Sequence, residues 1–320
     1  MDVFIKSFNR MFCLARCLAT VEKYVVGASH IVVLDDGTPR VFLDVVQKRY
    51  PNVEIIQPPH GERKTELVAN GIYNERFSPE EYEKWGLMNP SAFWREEIGK
   101  SQSEYVCVLE EDVWFVRPLD LNAVKRRLSA HNTLIFHLWL RAITAAARPT
   151  LTSVRAAIDD GLTAIYFEPH IKMNVDRSQV FVPAQAIYKR DYFTKAFSAT
   201  DYRFTVKSQF NLAVEYINAL TTTPTFAYAE HDLVVHGFTT TSRKTELTGE
   251  AFDPFPMNRA LNQAMHDDRF DYCADLPRDF SEARIFETIE QYVSRDKAVE
   301  WQAWYKKFQD YYRSLGDVIG

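Results

Sequence analysis

Disulfide-framework spacing is absent from this chain. Its four cysteines in 320 residues, Cys13, Cys17, Cys107 and Cys273, include no C-x-x-C pair, which leaves no thiol metal knuckle and no redox motif. Cys13 and Cys17 fall one turn apart on an expected helix, and all four read as thiols of a reducing compartment. No apolar run approaches the roughly 18 residues of a membrane span. The opening "MDVFIKSFNR" carries an acid at position 2 and Lys6 soon after, so it reads as a strand and not as a signal peptide. Excess positive charge is missing too: the formal net charge is -5, which removes the general pull toward nucleic acid. There is no internal repeat and no low-complexity linker. These absences point to a cytoplasmic protein, either free or peripheral to the inner face of a membrane.

What remains is an ordinary globular composition, 46% hydrophobic and 25% charged, long enough to bury a core without covalent staples. "DVFIKSF" reads as a strand. The stretch "RMFCLARCLATVEKYV" places Met11, Leu14, Leu18, Val21 and Val25 at helical spacing, and "HIVVLDDGTP" is an apolar strand ended by Asp-Gly and Pro. A strand, helix, strand order implies parallel pairing. The pattern continues with helix "VFLDVVQKRY", strand "VEIIQPP", helix "SAFWREEIGKSQ" and strand "YVCVL". Further on come the helix "LDLNAVKRRL", the strand "TLIFHLWL", a strand running into a helix in "QVFVPAQAIYKRDYFTKAF", the amphipathic helix "KSQFNLAVEYINAL" and the strand-like "TFAYAEHDLVVHGF". From about Phe252 the composition turns to polar, aromatic helices. Their Phe, Trp and Tyr stripe reads as a face packed on the main body, with a membrane interface or a second copy as the alternatives.

The most informative stretch is "YVCVLEEDVWFV", where Glu110, Glu111 and Asp112 directly follow an apolar strand. Three adjoining carboxylates repel one another unless a cation neutralises them. Divalent Mg²⁺ or Mn²⁺ prefers such oxygen ligands. Residues two apart on a strand point the same way, so Glu110 and Asp112 are placed to act together while Glu111 points elsewhere.

This series resembles the nucleotide-sugar glycosyltransferases of the GT-A fold, in particular the family 2 type. Lys6 to Arg10 of "FIKSFNR" is similar to that group's opening threonine-tyrosine-asparagine-arginine run. "VVLDDGTP" resembles its second-strand motif, and "VLEEDVWFVRPL" a variant of its Asp-x-Asp metal motif with Glu110 as first acid. "QAIYKRDYF" resembles the strand before the acceptor region, and "DLVVHGFTTTSRK" the closing strand with its metal-binding histidine. The resemblance spans about the first 250 residues. It implies an α/β fold with a mainly parallel mixed sheet flanked by helices. A catalytic domain over 1–250 would divide into a nucleotide-binding half, 1–118, and an acceptor half, 119–250. A helical extension would follow over 251–320.

The resemblance also assigns roles. Glu110, Asp112 and His236 would hold Mn²⁺ or Mg²⁺, with His231 and Asp232 as second choices. Lys6, Phe8, Asn9, Arg10, Asp35, Asp36, Arg95 and Glu111 would line the nucleoside-diphosphate sugar, expected to be a UDP-sugar. Within that set Asp35 orients the Gly37 turn, Asp36 meets a uracil or ribose edge, and Arg95 reaches the base or a carboxylate of the triplet. Arg243 and Lys244 would neutralise the departing diphosphate, and the acceptor would be a glycan or a lipid-linked sugar, as in polysaccharide biosynthesis. Where family 2 carries a Glu-Asp base, "KSQFNLAVEYI" has Ser208 and Gln209. Either Asp201 or Glu215 is then the base, or configuration is retained with Gln209 beside the anomeric carbon, which is the favoured outcome. Two other classes stand beside this one. A sugar nucleotidyltransferase would carry a Gly-rich phosphate loop, and "SFNRMF" has no glycine. An inactive carbohydrate-binding protein would keep the fold without the base.

Overall fold

The computed structural model describes residues 1–70, 83–138, 153–159, 161–168, 181, 184–198, 206–237 and 252–314. The chain opens with β1 (Asp2–Ser7), α1 (Met11–Tyr24), β2 (Val25–Val26), β3 (Ile31–Asp35), α2 (Arg40–Arg49), β4 (Glu54–Ile56) and α3 (Gly61–Ala69). It continues through α4 (Pro90–Gly99), β5 (Tyr105–Glu110), β6 (Val113–Phe115), β7 (Leu119–Asp120), α5 (Leu121–Ala130) and β8 (Thr133–His137). Next come β9 (Ser153–Ala157), β10 (Thr163–Phe167), β11 (Ala186–Lys189), α6 (Arg190–Ala196), α7 (Val206–Asn218), β12 (Thr225–Ala229) and β13 (Val234–His236). Three helices close the chain: α8 (Phe255–His266), α9 (Glu282–Tyr292) and α10 (Arg295–Ser314).

The expected mixed α/β sheet flanked by helices is present, nine strands wide among the described residues, in the order β4-β3-β1-β5-β11-β8-β12-β10-β9. Strands β4, β3, β1 and β5 are parallel neighbours. Strand β11 enters antiparallel between β5 and β8, β8 and β12 are parallel, and β10 pairs antiparallel with β12 and β9. Strand alternation sorts the core to two faces. Val3, Ile5, Cys107 and Leu109 join one cluster with α1, α2 and the closing helices, while Phe4, Val106 and Val108 join the other with α4, α6 and α7. Buried on both sides, β1 and β5 read as continuous apolar runs.

The strand-like "TFAYAEHDLVVHGF" corrects the sequence expectation, because it divides. Strand β12 belongs to the large sheet, whereas β13 leaves it to pair antiparallel with β6, His236 opposite Val113. The polar run Glu230 to Asp232 cannot stay in a buried central strand, so the chain turns out there and returns beside the acid triplet.

The closing helices are not an appendage. Met257, Leu261, Met265, Ile285, Ile289, Trp301, Trp304, Tyr305 and Phe308 are buried in the same cluster as α1. Helix α1, lying between sheet and extension, is therefore apolar nearly all round. The aromatic stripe considered for a membrane or a second copy is thus core at Trp301, Trp304, Tyr305 and Phe308, and hydrophobic packing is what it serves. The expected boundary at residue 251 is crossed by this continuous core. Among the described residues, no helix is long and apolar enough to cross a membrane.

Two consequences are measurable. Trp301, fully buried and stacked on Tyr305 at 5.4 Å between ring centroids, should cost about 3–5 kcal/mol when replaced by alanine, read from urea unfolding. A chain ending at Gly249 should uncover the apolar flank of α1 and aggregate; a monodisperse product in light scattering would show that the extension is dispensable to the core.

Candidate functional site

The topology creates a switch point beside β1. From β1 the chain moves to β3 and β4 on one side, then returns to β5 on the other. Ligands of open α/β sheets collect at such a switch point, beyond the carboxyl ends of the strands. The ends that meet there are Ser7, Asp35 and Glu110, with the β1–α1 loop, Phe8 to Arg10, between them. Backbone bonds tie the following residues to the same strand: Asp36 N–H donates to Ser7 O at 2.9 Å and Glu111 N–H to Lys6 O at 3.0 Å.

Parallel register places Lys6 beside Glu110, and Lys6 Nζ meets Glu110 Oε1 at 3.0 Å while lying 4.4 Å from the centre of the Trp94 ring. Arg10 then bridges the other two acids, Nε to Glu111 Oε1 at 2.9 Å and a terminal nitrogen to Asp112 Oδ2 at 2.7 Å. Phe8 N–H also donates to Glu111 Oε1, at 3.2 Å. Glu111 therefore pins the loop through Oε1. Strand β5 ends at Glu110, and Glu111 and Asp112 lie in the turn that follows, where both grip Arg10; the strand alternation expected to turn Glu111 away from Asp112 therefore does not extend to them.

Glu110, Asp112 and His236 do converge: one ligand atom from each lies within 4.8 Å of the others. Strand β13 delivers the imidazole, with His236 Nε2 3.5 Å from Asp112 Oδ1. The junction is locked by Gly237, whose N–H donates to Asp112 O at 2.6 Å. A Cβ at Gly237 would come within 2.6 Å of the Trp114 ring, so glycine is required by close approach. His231 is exposed in the turn before β13, and neither it nor Asp232 joins the cluster.

Charge and burial oppose one another here. Burial acts to raise the Asp112 carboxyl, but Arg10 and His236 outweigh it and hold the group below its usual value. At Glu111 burial prevails over Arg10, helped by its acidic neighbours, and lifts the carboxyl to about 7. Asp112 Oδ1 is buried and, among the described residues, accepts no hydrogen bond. An ionised oxygen left so, beside a second carboxylate and an imidazole nitrogen, fits a divalent cation that takes oxygen and nitrogen ligands. Glu110, Asp112 and His236 would hold it.

On the β3 side, Asp35 is wholly buried and its carboxylate accepts from Gly37 N–H, Thr38 N–H, Thr38 Oγ1 and Gln57 Nε2 at 2.6–3.0 Å. It orients the turn at Gly37, where φ is +126°; Oδ1 takes three of these bonds and Oδ2 one. Asp36 is paired with the buried ammonium of Lys64 on α3, a partner the sequence did not reveal. Burial shifts both toward neutrality: Lys64 is lowered, and Asp36 rises from 3.8 to about 6 in spite of the ion pair. Asp36 Oδ1 is buried without a hydrogen bond. Lys64 also lies 5.0 Å from the centre of the Phe8 ring, and Phe8, Trp85 and Phe255 pack around Leu67 and Leu87.

Other expected residues stand apart. Arg95 on α4 meets its neighbour Glu96 at 3.9 Å, and among the described residues it makes no ion pair with the triplet. Its neighbour Trp94 is the residue of α4 that faces Lys6, and the next position on a helix points about 100° away. Glu215 is on the outward side of α7, 63% exposed and 3.5 Å from Lys195. Gln209 is on the inward side with Ala213 and Ile217, 1% exposed, and among the described residues neither atom of its amide has a hydrogen-bond partner. Asp201, Arg243 and Lys244 lie outside the described residues.

No family model matches the chain, and no curated protein matches it. Solved structures with a similar course include S. aureus TarS 1–349, 10% identical over 92% of this chain and 71% of that one, with a TM-score of 0.44. Glucosyl-3-phosphoglycerate synthase of M. tuberculosis is 12% identical over 84% and 81%, TM-score 0.44. Its complex with Mn²⁺ and UDP-glucose gives 12%, 84%, 79% and 0.43.

The Asp36 shift has a signed consequence. A carboxyl whose pKa is higher in the folded than in the unfolded chain adds stability that is complete below about pH 4 and is lost as the pH rises through about 6. The wild type should therefore lose roughly 1–3 kcal/mol relative to Asp36→Asn between about pH 4 and 7, measured by urea unfolding. A flat difference over that window would mean an ordinary carboxylate at Asp36.

Proposed function

We propose that this protein is a metal-dependent glycosyltransferase of the GT-A type, using a nucleoside-diphosphate sugar, with a UDP-sugar as the donor to test first. The observation that carries this reading is the convergence of Glu110, Asp112 and His236 at the switch point between β1 and β5. A divalent ion held there would supply positive charge to a diphosphate.

The chain's own groups would do the rest. Lys6 and Arg10 already face the acids at 3.0 and 2.7 Å and would add charge beside a departing diphosphate, together with Arg243 and Lys244. The unsatisfied Oδ1 of Asp36 would accept a hydrogen bond from a uracil or ribose edge, with Phe8 as the adjoining apolar surface. Asn9 would keep the loop close to the phosphates.

Gln209 is assigned to the sugar. A buried amide with neither atom bonded costs about 1–3 kcal/mol for each unmet group, which supports its meeting a ligand. An amide cannot take a proton at neutral pH, but it can hydrogen-bond a hydroxyl or stabilise positive charge at the anomeric carbon. The bond from that carbon to the diphosphate oxygen would break as the bond to the acceptor oxygen forms on the same face. The acceptor's proton would pass to the leaving diphosphate, and configuration would be retained. Asp201 and Glu215 are the bases to test if configuration inverts. The acceptor class is a glycan or lipid-linked sugar, and the location is the cytoplasm or the inner face of a membrane.

The test begins with thermal shift against nucleotides with and without Mn²⁺. UDP should raise the melting temperature only with the ion. Asp112→Asn should remove that dependence and lower transfer or slow donor hydrolysis by about 100-fold or more, while the fold persists by circular dichroism. Full activity in EDTA or in Asp112→Asn would overturn the metal assignment. Product NMR should show the donor's anomeric configuration; the opposite anomer would remove the retaining assignment and turn attention to Asp201 and Glu215.

A further inference from the structure

The loop that carries Arg10 does not hold itself. Helix α1 has no side-chain cap of its own at Arg10, and Asn9 sits at a φ of +52°, a left-handed conformation that few residues other than glycine and asparagine adopt. Both needs are met from α8. Asn262, wholly buried, accepts Met11 N–H through Oδ1 at 2.8 Å and donates from Nδ2 to Asn9 O at 2.9 Å. A longer contact of 3.4 Å reaches Asn9 Oδ1. Asn9 N–H is taken by Thr38 Oγ1 at 2.6 Å, so the peptide groups on both sides of Arg10 are anchored. Arg10 is then aimed at Glu111 and Asp112.

A second tie reaches the other flank of the cluster. Trp114 Nε1–H donates to Pro277 O at 3.1 Å, and the Arg16 guanidinium lies 4.3 Å from the centres of both the Trp114 and Phe280 rings. Trp114 in turn presses on Gly237, beside His236. The C-terminal region thus braces the cation side through Asn262 and the histidine side through Trp114.

We infer that Asn262 is a positioning residue for the acid cluster: it holds the β1–α1 loop so that Arg10 bridges Glu111 and Asp112, making the C-terminal helices part of the site. The metal arm of the following test rests on the proposed function; the hydrogen-exchange arm does not.

The experiment compares Asn262→Leu, Asn262→Asp and a packing control, Thr288→Val, which loses a buried hydroxyl on α9 that donates to Arg284 O at 2.8 Å. Hydrogen exchange by NMR follows Phe8 N–H and Arg10 Nε–H in the full chain without metal, and Mn²⁺ titration by electron paramagnetic resonance follows affinity. In Asn262→Leu the protection of both groups should fall about tenfold and the Kd for Mn²⁺ rise about tenfold, the lower end of what loss of an outer partner costs a metal site. Asn262→Asp keeps the acceptor for Met11 N–H and loses the donor to Asn9 O, so its effect should be intermediate; it carries the test if the leucine variant does not fold. Thr288→Val should change neither readout. Unchanged protection of Phe8 and Arg10 in a folded Asn262 variant would overturn the inference. Protection that falls while the wild type binds no Mn²⁺ would uphold the positioning role and overturn the metal reading instead.

Discussion

The structure turns on one guanidinium. Three consecutive carboxylates at the end of a buried strand repel one another, and Arg10 answers two of them at 2.9 and 2.7 Å. Its attraction is not uniform in effect: Asp112 stays ionised below its ordinary pKa, whereas Glu111 is lifted to about 7. The same bridge leaves Asp112 with one oxygen that accepts no hydrogen bond, turned toward His236.

A bridge of this kind has to be held from behind, and the fold does so with polar groups inside an apolar layer. Asn262 and Arg16 are both fully buried, and their partners are backbone carbonyls and an orphan N–H of α1. Burying such groups is costly unless they are bonded, so their presence makes the packing of the closing helices specific as well as favourable. Asp36 and Lys64 repeat the theme on the β3 side, where burial moves both groups toward neutrality despite their contact. The strand ends at the switch point thus carry charges that the folded chain keeps at an electrostatic cost, a pattern common where ligands bind.

Much of the architecture from β1 to β5 was legible. Apolar runs bounded by Asp-Gly, prolines and the acid triplet marked β1, β3, β4 and β5, whereas period-two alternation stopped at Glu110, because Glu111 and Asp112 leave the strand and share Arg10. The final strand was legible as chemistry but not as topology: "DLVVHG" pointed to His236, while its transfer to β6 depended on where Glu230 to Asp232 could be solvated. Asp35 was read both as a turn residue and as a binding residue; its four bonds show it holding the turn. Asn262 left a faint signal, an amide amid the buried positions Met257, Leu261, Ala264 and Met265 of α8.

By itself the sequence determined the alternating strand and helix order, the absence of a spanning helix among the described elements, and an acid pair at a strand's end, because these follow from local periodicity and side-chain chemistry. Only the tertiary structure decided which cation faces which carboxylate, that Lys64 pairs with Asp36, and that the C-terminal helices reach the β1–α1 loop. The physical reason is distance along the chain. Met11 and Asn262 are 251 residues apart, and no local preference can encode a hydrogen bond between them; packing of α8 on α1 brings them to 2.8 Å.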